Sequence, residues 1–259
     1  MIFQSDYSLI LLGFYIALIL VQLLFGSWIL FIFLQGKRKA HVSAPFILAM
    51  SLFFLFLTVG RVIFAWFDFV LTNFDDTTYP TYAGVWKTAT AITTFGLALF
   101  VYQLEKKPLK NKTKGAITII IILLIIILVV FPVTDLPSFN IDQYFVVFIS
   151  IPMLITPFIY FYLAVKVNGY KKTGITIGLG ILIYFLGEVS IAEFAVIALH
   201  NLGLDIELIY ILAQIFKIIG IVCIGFAFVK EWTHFFAWKR HVAQLGQDGG
   251  SDEDWKRSR

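Results

Sequence analysis

The sequence predicts an all-α integral membrane protein: a bundle of seven transmembrane helices, N-terminus outside, C-terminus cytoplasmic, followed by a short amphipathic eighth helix. Three observations carry this reading. Of the 259 residues, 60% are apolar and only 14% charged, which is too hydrophobic for a single water-soluble core. Seven stretches approach or exceed the roughly 20 mostly apolar residues that a spanning helix needs, at 7–34, 45–72, 82–104, 115–133, 143–166, 173–199 and 207–230. Finally, Lys and Arg crowd into alternate loops, as the positive-inside rule requires.

Taken in order, the stretch 7–34 has no basic residue between Met1 and Asp6 and no small-residue cleavage pattern. It is therefore expected to remain as a helix, not to be removed as a signal peptide. Lys37, Arg38 and Lys39 follow it and mark a cytoplasmic loop. The stretch 45–72 carries Arg61 and Asp68 and leads into a loop with Asp75 and Asp76, assigned outside. Within 82–104 lies Lys87, and the basic run Lys106, Lys107, Lys110, Lys112 and Lys114 returns the chain to the cytoplasm. The stretch 115–133 is almost purely aliphatic, and Asp135 and Asp142 after it are assigned to an outer loop.

Pro152 and Pro157 fall inside 143–166, where each removes a backbone hydrogen bond and favours a kink. Lys166, Lys171 and Lys172 then mark the third cytoplasmic loop. The stretch 173–199 contains Gly178, Gly180, Gly187, Glu188 and Glu193, and Asp205 and Glu207 follow it outside. The last stretch, 207–230, holds Lys217 and the single cysteine, Cys223. Residues 1–230 thus form one transmembrane domain. Residues 231–246 place Trp232, Phe235, Phe236, Val242 and Leu245 near one helical face and Lys239 and Arg240 toward the other, the pattern of a helix lying on the inner leaflet. Residues 247–259 read as a disordered tail. The expected location is the cell membrane, multi-pass.

Six ionisable residues remain inside spans: Arg61, Lys87 and Lys217 against Asp68, Glu188 and Glu193. Each costs roughly 2.5–3.5 kcal/mol at the bilayer centre even on insertion scales, so they are expected to face inward and pair. A rise of about 1.5 Å per residue puts Arg61, Glu188 and Lys217 roughly 15 Å below the outer surface, and Asp68, Lys87 and Glu193 roughly 6–9 Å below it. Spacing at i, i+3, i+4 and i+7 groups Arg61 with Asp68, Lys87 with Thr90 and Thr94, Tyr184 with Glu188, and Tyr210 and Gln214 with Lys217. If these stripes converge, they enclose an outward-opening polar cavity walled by Phe64, Trp66, Trp86 and Phe216. The expected ligand site is Arg61, Asp68, Lys87, Glu188, Glu193, Tyr210, Gln214 and Lys217. With two bases and one acid, its deep layer suits a small polar or anionic ligand. A buried salt-bridge network that only fixes packing is the competing reading.

Gly60-Arg61-Val62-Ile63-Phe64-Ala65 echoes Gly187-Glu188-Val189-Ser190-Ile191-Ala192, as in a three-plus-one-plus-three duplication. No metal site is expected, because His41, His234 and His241 fall in the cytoplasmic segments and His200 at the outer rim. Neither phosphate loop nor nucleophile elbow is present, and the spans leave these residues no soluble catalytic domain, so an enzyme is not expected. The net charge of +4 reflects topology and not nucleic-acid binding.

Seven spans, an outer N-terminus and a lysine in the middle of the last span resemble the microbial rhodopsins. That resemblance implies retinal as a Schiff base on Lys217, with Glu188 or Asp68 as counterion, since 82–104 has no acid. Otherwise no cofactor is expected. The layout also resembles seven-helix receptors, which implies an outer ligand pocket and a cytoplasmic protein partner at the basic loops. A receptor-like or sensory protein is the leading expectation, and a small secondary or proton-coupled transporter is the alternative.

Overall fold

The computed structural model describes residues 5–37, 44–106, 113–166 and 171–247, with side chains throughout except at 5–6, 36–37, 44, 146–147, 149–153, 193–194 and 231–247. The expected loop cations Arg38, Lys39, Lys107, Lys110 and Lys112 and the tail beyond Gln247 lie outside the described residues. Every regular element among the described residues is helical: α1 (Ser5–Lys37), α2 (Ala44–Trp66), α3 (Ala83–Lys106), α4 (Ala116–Val130), α5 (Leu136–Lys166), α6 (Lys171–Val189), α7 (Glu193–Asn201) and α8 (Ile206–Gln247). Among the described residues five stretches are long and apolar enough to cross a membrane: Tyr7–Gln35, Pro45–Leu71, Ala83–Lys106, Lys171–Val189 and Ile206–Lys230.

The departures from the expected spans have local causes. Helix α4 is only 15 residues long. Gly115, at φ +79°, makes the left-handed turn before it, and Phe131, held extended ahead of Pro132, ends it. Its opening turn is capped from a neighbour. The Glu105 carboxylate of α3 accepts the backbone N–H groups of Ile117 and Thr118, each at 3.0 Å, and the Thr118 hydroxyl at 2.5 Å, satisfying donors a helix start leaves open.

Helix α5 begins at Leu136, not near 143, because Asp135 and Ser138 form a reciprocal cap. The Ser138 amide donates to Asp135 Oδ1 at 2.9 Å, and the Asp135 amide donates to Ser138 Oγ at 3.0 Å. This places Asp142 inside a helix, correcting its assignment to a loop. Pro157 is accommodated within the same unbroken helix.

The expected span 173–199 is two helices. α6 stops at Val189, Ser190 and Ile191 turn, and α7 starts at Glu193. The Ser190 hydroxyl donates to the Gly187 carbonyl at 3.2 Å, a local bond that competes with helix continuation. The second helix opens on an acidic residue, where the helix dipole favours one. α2 likewise does not run regularly to residue 72, passing into a π turn over Phe67–Leu71. The segment 231–246, expected as a separate interfacial helix, is continuous with α8.

Contacts close a ring, α1–α2–α3–α5–α6–α8 and back to α1, with α4 against α3 and α5. Burial is inverted relative to a water-soluble protein. Arg61, Lys87, Glu105, Asp142, Gln22, Gln214 and Lys217 are buried, while Ile119, Ile120, Leu123, Ile126, Val129 and Val130 of α4 are exposed, as are Leu20, Leu24 and Phe31 of α1. Such an aliphatic exterior suits lipid. One apolar core fills the ring near the ends of α1, α3, α5 and α8 that carry the basic loops, including Phe25, Phe53, Phe54, Phe100, Tyr160 and Phe228.

At the α6–α8 seam it is backbone that approaches backbone most closely. A Cβ on Gly220 would stand 2.6 Å from the Gly180 carbonyl oxygen and 2.6 Å from the Tyr184 amide nitrogen; one on Gly187 would stand 2.6 Å from the Ala213 carbonyl and 2.8 Å from Lys217 Cγ. The obstructing atoms are mostly backbone, so they cannot swing aside. Gly220→Ala is therefore expected to destabilise the fold by ~1–3 kcal/mol through overpacking. By contrast Gly13→Ala, which meets nothing within 4 Å, is expected to be neutral or slightly stabilising. Thermal unfolding of the two variants in detergent checks the contrast, and equal midpoints would contradict it.

Candidate functional site

Arg61 lies on the inward face of α2, and its Nη2 donates to Glu188 Oε1 of α6 at 2.5 Å and to the Tyr184 hydroxyl at 3.4 Å. From α8, Lys217 Nζ stands 3.1 Å from the other oxygen, Glu188 Oε2. One carboxylate thus serves two cations, and the three groups in contact sum to +1. The side chains of Arg61 and Lys217 are 6% and 0% exposed, whereas that of Glu188 is 26% exposed, so solvent reaches the anion before either cation. The guanidinium carbon also lies 5.8 Å from the Tyr15 ring centre and 5.6 Å from that of Phe64, within cation–π range.

Glu188 is the one acceptor that Lys217 Nζ meets among the described residues. One turn earlier on the same face, Gln214 is fully buried and neither its nitrogen nor its oxygen has a partner. Buried donors without acceptors cost about 1–3 kcal/mol each. Gln22 of α1 is likewise buried with neither amide atom partnered.

Asp68 occupies the next layer. Its carboxylate accepts a hydrogen bond from the Tyr15 hydroxyl at 2.8 Å, within the electrostatic field of Arg61 and Lys217. Tyr15 escaped the sequence reading because a neutral residue in an apolar helix raises no alarm. Its phase was the available signal, for Leu11, Tyr15, Leu18, Gln22, Phe25 and Ile29 mark one buried face of α1. Tyr210 is half-buried against the small cluster of Leu11, Tyr15 and Phe74. The Glu193 side chain lies outside the described residues.

Lys87 belongs elsewhere. Its Nζ pairs with Asp142 of α5 at 2.8 Å, donates to the Phe131 carbonyl at the end of α4, and lies 5.8 Å from the Phe131 ring centre. It is a clamp joining three helices, with Asp142 as the partner that the loop assignment concealed. Thr90 and Thr94, on the same face, donate their hydroxyls to carbonyls one turn back in α3, at 3.0 and 2.7 Å.

Two of the expected aromatic walls face outward: Trp66 is 51% and Phe216 39% exposed. Trp66 is five residues from Arg61 and Phe216 is next to Lys217, so helical rotation turns both away. Trp86 packs on Phe139 at 5.1 Å, leaving Phe64 alone beside the centre. Directly beneath Tyr184 is an apolar cavity of about 20 Å³, lined by Phe53, Leu97, Phe100, Ile181, Ile221 and Ile224 among others. Among the described residues no group of His, Cys, Asp and Glu is arranged to hold a metal ion. No protein-family model, curated protein or solved structure matches this chain.

Removing the shared carboxylate leaves two buried cations without a counter-charge. Glu188→Gln is expected to cost ~3–5 kcal/mol, the usual range for breaking a buried pair from one side. Adding Lys217→Met should recover ~0.5–3 kcal/mol as coupling between contacting groups. Denaturant or thermal unfolding of the single and double variants measures it, and strict additivity would show that the contact carries no coupling.

Proposed function

We propose that this chain is a receptor-like or sensory protein of the cell membrane that crosses the bilayer seven times and binds a small anionic ligand at Arg61, Glu188 and Lys217. The crossings are α1 to α5, α6 together with α7, and α8. Supporting this reading, α1 and α2, α2 and α3, and α6 and α8 run antiparallel, whereas α8 runs parallel to α1, with Tyr210 near Tyr15 and Phe226 against Phe25. Gly26 of α1 packs on Phe54 and Leu55 of α2, Gly60 of α2 on Ala89 of α3, and Gly180 of α6 on Gly220 of α8. The Lys and Arg pattern puts the loop after α2, with Asp75 and Asp76, outside.

The observation that carries the ligand reading is the unpartnered buried amide of Gln214 beside an excess of positive charge. Neither atom of the amide has a partner, and the contacting charges of Arg61, Lys217 and Glu188 sum to +1. An anion at that point supplies an acceptor for the amide N–H and the charge that the contacting set lacks. A packing-only salt bridge needs neither. Purified protein should bind acetate more tightly than methylammonium, read as a rise in unfolding temperature or by titration calorimetry. Equal or tighter binding of the cation would overturn the reading.

One observation favours a carrier as the second reading. The break between α6 and α7 immediately follows Glu188, and residues 188–192 are all half-buried; discontinuous helices of this kind line substrate sites in transporters. Against it stands the continuous apolar core on the basic-loop side of the centre, which offers no polar route. Proteoliposomes decide between the two: a receptor gives ligand binding without uptake, while uptake abolished by Glu188→Gln marks a carrier. Retinal on Lys217 has the carboxylate at 3.1 Å in its favour, but the adjoining cavity of about 20 Å³ is far too small for a twenty-carbon polyene as the helices stand.

A further inference from the structure

We infer that the ligand is a short-chain aliphatic monocarboxylate, its carboxylate beside Arg61 and Lys217 and its hydrocarbon end in the cavity beneath Tyr184. This rests on the anion-site reading above and specifies its substrate class. Three features converge on it.

The first is charge. Arg61 and Lys217 share one carboxylate, so one further negative charge brings the contacting set to neutrality. A dianion would overshoot inside a buried site where uncompensated charge is costly.

The second is donor geometry. Gln214 Nε2 is buried without a hydrogen-bond partner, and Lys217 Nζ, on the same face of α8, meets only Glu188 among the described residues. A carboxylate has two oxygens, each accepting more than one bond, and so satisfies both. Arg61 makes both of its contacts through Nη2, and a guanidinium has five N–H donors.

The third is the join between polar and apolar space. Tyr184 belongs to both, its hydroxyl 3.4 Å from Arg61 Nη2 and its side chain on the cavity wall. On α8, Lys217 and the cavity residues Ile221 and Ile224 follow one another along one face. A molecule anchored by its head at Lys217 therefore meets hydrocarbon walls within one helical turn. The cavity volume, about 20 Å³, is little more than the roughly 10–15 Å³ that one water-sized group needs, so it admits a methyl or ethyl end and excludes a longer chain. An inorganic anion would leave it unfilled.

Binding of formate, acetate, propionate, butyrate and hexanoate to the full chain in detergent tests this, with sulfate and succinate as dianion controls. Affinity is expected to rise about fourfold per added carbon as each methylene is buried, to peak at acetate or propionate, and to fall by hexanoate, with both controls weaker than propionate. Ile221→Phe, which fills the cavity, should abolish the gain beyond formate while leaving formate binding intact. Ile224→Ala, which enlarges it, should move the peak to a longer chain and serves if the first variant does not fold. Lys217→Met should remove binding of the whole series. A flat chain-length profile, or a peak unmoved in Ile224→Ala, overturns this inference and leaves the anion site standing. Failure of every carboxylate to bind overturns the anion site itself.

Discussion

The Glu188 carboxylate, held between Arg61 and Lys217, is the contact on which the arrangement of α2, α6 and α8 turns. Each of the three ions loses several kcal/mol of hydration on burial, and none has an equivalent partner close to it in sequence. The network forms only if three helices reach the same depth with the right rotation. That requirement passes to the glycines. Without Gly187 and Gly220 the α6 and α8 backbones would stand further apart, and Lys217 would fall short of the acid. The Tyr15 hydroxyl on Asp68 and the cation–π contacts of Arg61 then tie α1 into the same region.

The buried charges fall into two kinds. Glu105 spends both oxygens capping α4, and Lys87 divides itself among Asp142 and the end of α4, so both groups act as joints between helices. At the Arg61 centre two cations share one carboxylate and the Gln214 amide is left over. The echo between Gly60-Arg61 and Gly187-Glu188 has a structural counterpart. Each glycine backs onto the next long helix in the chain, Gly60 against Ala89 and Thr93 of α3 and Gly187 against Ala213 and Lys217 of α8. Each following residue, Arg61 or Glu188, points to the other. Two equivalent packing corners thus deliver opposite charges to one place.

Apolar length and the cost of intramembrane charge are one-dimensional properties, and they made most of the helices, and the shared level at which Arg61, Glu188 and Lys217 meet, legible in the sequence. Features set by local hydrogen bonding were not. The Asp135–Ser138 cap starts α5 early and carries Asp142 into the interior, and the turn at Ser190 divides a stretch that hydropathy reads as continuous. Rotation was the other gap. Counting depth grouped Lys87 with Asp68 and placed Trp66 and Phe216 around a cavity, whereas the facing direction of each depends on which neighbour its helix packs against.

The separation of the paired charges along the chain has a consequence for how this protein is made. Arg61 and Glu188 are 127 residues apart, so at about 5–20 residues per second the arginine waits roughly 6–25 s at the ribosome before its acid is synthesised. During that interval the guanidinium lacks the carboxylate it contacts in the finished fold. The aromatic faces of Tyr15 and Phe64 and the field of Asp68, all present early, are its available shelter. Assembly of this fold is therefore a matter of timing as well as affinity, with the first helices held in a provisional partnership until the sixth arrives.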